Sequence, residues 1–160
     1  MNRTDANPYR AAAQELLRES GCTVRKWRSS NSGRAFTSSD DWGIEVPDPR
    51  GPVSFGVFAH EIGHQMLHRH NGKTPRWLEE LEAWEYALDQ FPRFGLKGRE
   101  RAQSDAAKSL VYAAVKANRR CSPETAAAIL DRFPDWVWAA DGSCGALSYL
   151  DVAIHAGRTS

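Results

Sequence analysis

Cysteine is scarce in this 160-residue chain: only Cys22, Cys121 and Cys144, odd in number and far apart. They form no CxxC pair, which argues against a disulfide framework and against a cysteine zinc site. No apolar run approaches the roughly 20 residues a membrane-spanning helix needs. The N-terminal MNRTDANPYR lacks the apolar core of a signal peptide. Charge of one sign is also lacking, since 21 Lys and Arg offset 20 Asp and Glu for a net +1. Such a balance gives no global attraction to nucleic acid or to an anionic membrane. These absences lead us to expect a reduced, cytoplasmic protein with no membrane partner.

What remains is ordinary globular composition, 41% apolar and 26% charged, and a length suited to one domain. Asn7-Pro8 reads as an N-cap followed by proline at the first helical position, and Gly21 as a stop, giving a helix over 8–20. Between residues 22 and 46, Val24, Trp27, Phe36, Trp42, Ile44 and Val46 alternate with Ser, Gly and Asn. This pattern predicts short strands near 22–28, 34–38 and 42–46. Pro47 to Pro52 is a loop. A helix is expected over 53–69, ended by Asn71-Gly72, and another from Thr74-Pro75 to Phe91, with a break at Pro92 and the following glycines. Further helices are expected at 100–118 and 123–133, the latter capped by Ser122-Pro123. The segment beyond Phe133 gives no clear assignment.

The chemistry sits in His60-Glu61-Ile62-Gly63-His64. Residues four apart share a helix face, so His60 and His64 present two imidazoles to one point and can share a tetrahedral Zn2+ ion. Glu61 stands beside the first ligand, placed to take the proton of a water that zinc has acidified. Histidine is rare, so a chance match to this pattern in so short a chain is uncommon. Phe55, Val57, Phe58, Ile62, Met66 and Leu67 give the helix an apolar side. Gly63 leaves space for close packing or for the metal.

A catalytic zinc needs a third protein ligand. His70 has the spacing of an extended HExxHxxGxxH motif, but Leu67 stands where that motif needs glycine. His68 is one more turn along the helix, and three turns spread over about 12 Å cannot all reach one ion. It reads as a packing residue or a support for the ligands. On the next helix, Trp77, Leu81, Trp84, Ala87, Leu88 and Phe91 form an apolar stripe at about 100° per residue. Glu80 falls inside the stripe, while Glu79, Glu82, Glu85 and Asp89 fall outside, and Glu79, Glu82 and Glu85 read as a solvated face. A carboxylate on a buried face is costly unless paired, and a metal would pair with it.

These residues resemble the ImmA/IrrE-like family of zinc metallopeptidases of bacterial and phage-related regulatory systems. The resemblance runs from Gly43-Ile44-Glu45-Val46 through Phe58-Ala59-His60-Glu61-Ile62-Gly63-His64-Gln65-Met66-Leu67-His68 to the segment Glu80 to Ala87. It covers about residues 40–90. The family pattern is HE(L/I)GHxxLH followed by ExxA(N/D)xFA, and its first Glu, here Glu80, is implied to be the third zinc ligand, as in gluzincins. Trp84 departs from the pattern, standing where the family has Asn or Asp. Indole nitrogen can donate a hydrogen bond but cannot accept one, so another group must orient the imidazole.

The fold expected is α+β, a minimal zincin-like domain over 1–160. A small twisted sheet packs on the HExxH helix and the glutamate helix (core about 22–91), with a C-terminal helical extension over about 100–160. The resemblance implies a zinc endopeptidase that cuts a protein or peptide partner, such as a repressor-like transcriptional regulator. Tyr86, Tyr112 and His155 are the candidate donors to an oxyanion. Two other readings stand beside this one. The first is a zinc-containing binding module without proteolysis, against which the presence of Glu61 argues. The second is a nucleic-acid factor using the helices at 100–118 and 123–133 with the basic segment Arg25 to Arg28; nucleic acid is not the expected partner.

Overall fold

The computed structural model of the chain describes residues 7–38, 42–68, 73–139 and 145–158. In chain order these form α1 (Pro8–Ser20), β1 (Val24–Arg28), β2 (Arg34–Thr37), β3 (Trp42–Pro47), α2 (Pro52–His68), α3 (Arg76–Arg93), α4 (Arg99–Asn118), α5 (Pro123–Arg132), α6 (Asp135–Ala139) and α7 (Gly145–His155). The class is α+β, as expected. No helix among the described residues is long and apolar enough to cross a membrane. The chain divides into two compact units. One comprises Met1–Thr74 and Glu82–Gln103, the other Pro75–Leu81 and Ser104–Ser160.

In the first unit, α1 begins as its sequence demands. The Asn7 side chain accepts hydrogen bonds from the Tyr9 and Arg10 backbone N–H groups at 3.0 and 3.2 Å, and Gly21 ends the helix at φ 67°. Such a cap contributes about 1 kcal/mol. The three strands form one sheet in the order β1-β3-β2. β1 runs parallel to β3, with Trp27 opposite Val46, and β2 runs antiparallel, with Phe36 opposite Gly43. Central β3 buries Ile44 and Val46 completely.

Helix α2 lies on β2 and β3 and against α1. Gln65, buried on α2, donates its amide to the carbonyls of Phe36 (2.6 Å) and Gly43 (3.1 Å). It thereby fastens the helix to two facing positions of the sheet. Phe55, Phe58, Ile62 and Phe91 are fully buried, with Phe55 edge-on to Phe91 at 5.3 Å. Each such side chain stabilises by about 1.5–3 kcal/mol. Surface ion pairs contribute about 0–1 kcal/mol each, so packing dominates. Among those pairs, Arg10 and then Arg50 hold the Asp48 carboxyl down to about 2.

Two details of the helices differ from expectation. Met66 and Leu67 are exposed, at 50% and 46%. Every residue from Phe55 to Gln65 is buried, as is His68, so α2 is covered on all sides until its last turns, where Met66 and Leu67 reach solvent. Helix α3 ends at Arg93, two residues past the expected end, with Pro92 in its last turn and the expected break following it. Proline lacks the N–H that would bond the carbonyl four residues back. That carbonyl, of Leu88, accepts from the Arg99 guanidinium at 3.2 Å.

The second unit is helical. Leu110, Ala114, Ala126, Ile129, Val137 and Val152 are buried in it. A chain of rings runs from Trp77 through Phe133 and Trp138 to Tyr149, each step 5.6–5.9 Å between centroids. Helices α4 and α5 match the expected spans, although the Ser122 side chain makes no capping hydrogen bond. Helices α6 and α7 fill part of the segment that carried no sequence assignment. Cys22 is buried and Cys121 exposed, while Cys144 lies outside the described residues.

Candidate metal centre

Helical spacing does what the sequence implied for the two histidines. The His60 and His64 Nε2 atoms are 3.1 Å apart, their rings crossing at 80° with centroids 4.5 Å apart. Only 5% and 4% of these residues is exposed. Glu80 comes from α3. One imidazole nitrogen from each histidine and one Glu80 carboxylate oxygen all lie within 4.8 Å of one another.

This donor set suits zinc. Two imidazoles and a carboxylate are a known catalytic combination, and two nitrogens at about 2.05 Å from a tetrahedral ion stand roughly 3.3 Å apart. The 3.1 Å between the histidines is close to that. Glu80 has a second partner, since Arg76 approaches its Oε1 to 2.6 Å. The Arg76 side chain is 74% exposed and the Glu80 side chain 13%, so this is a nearly buried carboxylate paired with a solvated cation. The pair offsets part of the burial cost of Glu80.

The close approach of α2 to α3 depends on Gly63. A Cβ built there would stand 3.0 Å from the Ala83 carbonyl oxygen and 3.1 Å from both Ala83 Cα and Tyr86 Cδ1. Of the two roles the sequence left open for this glycine, close packing is the one observed.

Glu61, 6% exposed, lies beneath the turn between β1 and β2. A Cβ on Gly33 would overlap its carboxylate and would come within 2.5 Å of its Cγ. Gly33 thus allows the backbone to cover the glutamate. Nothing in the sequence separated this glycine from ordinary turn punctuation.

Trp84 meets His60 with its ring face. Its indole stacks on the His60 imidazole, centroids 4.3 Å apart and planes 26° apart. Its Nε1 is buried with no hydrogen-bond partner among the described residues, so the ring face and not the N–H steadies His60. Removing the face should therefore weaken zinc binding. Trp84→Leu is expected to bind zinc about 10–100-fold more weakly, while Trp84→Phe, which can still stack, stays within a few-fold of wild type. Competition against a chromophoric chelator measures both, and a Leu variant that binds as tightly as wild type would refute the role.

His68 is buried and 5.9 Å from the His64 ring, outside the ligand trio, with its Nε2 3.5 Å from Glu82. This agrees with a packing or supporting role. His70 lies outside the described residues. Glu79, Glu82 and Glu85 are not solvated as expected but half-buried. Arg76 reaches Glu79 at 3.6 Å, and Glu82 reaches His68. Tyr86 packs at Gly63, and burial raises its phenol above the ordinary range, with the Arg93 charge opposing the rise. Tyr112 is 69% exposed, and the His155 ring is 3.0 Å from the Cys121 carbonyl.

Comparison with family models, with curated proteins and with solved structures gives no match to this chain.

Proposed function

We propose that this chain is a zinc-dependent endopeptidase of the ImmA/IrrE-like type, a cytoplasmic enzyme on a zincin-like scaffold that cuts a protein partner such as a transcriptional regulator. The observation that carries this reading is the convergence of His60, His64 and Glu80 from two helices, with Glu61 adjacent in the sequence to the first of them.

His60, His64 and Glu80 would hold the zinc. When bound, the ion lowers the pKa of water and polarises a carbonyl oxygen. The remaining work belongs to the chain. The Glu61 carboxylate accepts the proton of the attacking water and passes it to the leaving amine nitrogen. Trp84 holds the plane of His60. Strand β2 pairs only with β3 among the described residues, and Gly33, just before it, touches Glu61. A substrate strand added to the outer edge of β2 would pass near the general base.

Metal analysis tests the reading. About one zinc per chain is expected, lost in His60→Ala. Incubation with co-purifying or co-encoded proteins should yield cleavage that a chelator stops and added zinc restores. A chain that binds zinc in this stoichiometry and cleaves none of them would support the binding-module alternative instead.

A further inference from the structure

The second unit contains a cavity of about 890 Å³ that the site described above does not use. Its floor and walls are largely apolar, with Trp77, Ala113 and Ala117 among them, and Glu80 lines it as well. Its volume is in the range of cavities that enclose a ligand of several residues or a drug-sized molecule.

The charges around it are uneven. Arg76, at the cavity, is already engaged by Glu80 and Glu79. Lys116 and Arg120 are exposed and also line the cavity, and neither has an acidic partner among the described residues. The one other acid in the lining is Glu124, whose carboxylate is engaged by Ser122 and by its own backbone N–H. Two uncompensated cations therefore stand over an apolar hollow. An occupant complementary to both features has an apolar group to bury and negative charge beside it.

Because Glu80 belongs to both the ligand trio and this cavity, and resting on the peptidase reading above, we infer that the cavity is a substrate subsite taking an apolar side chain flanked by acidic residues of a peptide. Lys116 and Arg120 select the acidic flanks, and the hollow at Ala113 and Ala117 selects the apolar residue. Neither preference follows from the HExxH helix.

Binding, not hydrolysis, tests this, so the outcome is independent of the peptidase reading. The full-length Glu61→Gln protein is titrated against three short fluorescein-labelled peptides, followed by anisotropy. One has a central leucine between aspartates, one has lysines in place of the aspartates, and one has serine in place of the leucine. The aspartate–leucine peptide should bind at least about tenfold tighter than either control, the scale set by burying a leucine side chain. Ala117→Trp, which fills the cavity, and the double variant Lys116→Glu/Arg120→Glu should each abolish the preference, with circular dichroism unchanged. The surface double variant keeps the test decisive where the cavity-filling one disturbs folding. Equal binding of the three peptides, or tight binding that survives both variants, overturns the subsite. So does binding of sodium decanoate with none of the peptide, which would mark a lipid site. A chain that binds the peptide as described but hydrolyses nothing retains the subsite and loses the peptidase.

Discussion

On the proposed peptidase reading, glutamine in place of Glu61 should lower peptide hydrolysis by about 10²–10⁴-fold, the range spanned by general acid–base catalysis, while zinc content stays at the wild-type level. The substitution keeps the shape of a side chain that is 6% exposed and lies against Gly33. It removes only the capacity to accept a proton and release it again. Glu61 is also not among the three residues whose donors converge, so the metal should remain. The two measurements together are the test: turnover of a partner protein, and zinc per chain by elemental analysis. Turnover that survives in the zinc-loaded variant would sink the assignment of Glu61 as base. Loss of zinc would show that Glu61 acts as a ligand.

The second large effect concerns Gly63. Glycine inside a helix is intrinsically worse than alanine by about 0.5–1 kcal/mol, so a larger residue would ordinarily stabilise α2. Here the neighbours are the Ala83 carbonyl oxygen and Cα, at 3.0 and 3.1 Å from the added carbon. Backbone atoms cannot rotate away. With leucine, overpacking of about 1–3 kcal/mol outweighs the propensity gain. For a chain of this length each kcal/mol lowers Tm by roughly 2–4 °C. Glu80 rides on α3 three residues before Ala83, so pushing the helices apart also moves the carboxylate from the two imidazoles. Gly63→Leu should therefore lose both thermal stability and zinc affinity, the latter by about tenfold or more. A Leu variant with wild-type melting and wild-type zinc binding would show that α2 and α3 do not need this contact. Gly63→Ala should fall between, since its propensity gain nearly offsets the crowding.

Much of the local structure could be read before any coordinates. Asn7, Pro8 and Gly21 delimit α1 by capping and φ preference, which involve neighbours within a turn. The strands near Val24, Phe36 and Ile44 follow from β-branched and aromatic runs. His60 and His64 face one point because four residues make about one helical turn. The stripe of α3 predicted burial of Trp77, Leu81, Trp84, Ala87, Leu88 and Phe91, and all six are buried. Each of these features is encoded in short-range periodicity, and periodicity is a property of the chain itself.

The features that tertiary structure decided all join residues far apart in sequence. Packing covered α2 on all sides from Phe55 to Gln65 and left Met66 and Leu67 in solvent. It brought the Gly33 turn onto Glu61, 28 positions later, and laid the Trp84 indole on His60. It made half-buried acids of Glu79 and Glu82, which a helical wheel had placed in water because a wheel knows one helix and not its surroundings. The pattern HExxH and a glutamate on a buried stripe determined which residues could form a metal centre. The close approach of two helices at a glycine decided that three of them converge, because distance between segments is set by side-chain volume at their contact and not by the order of residues within either one.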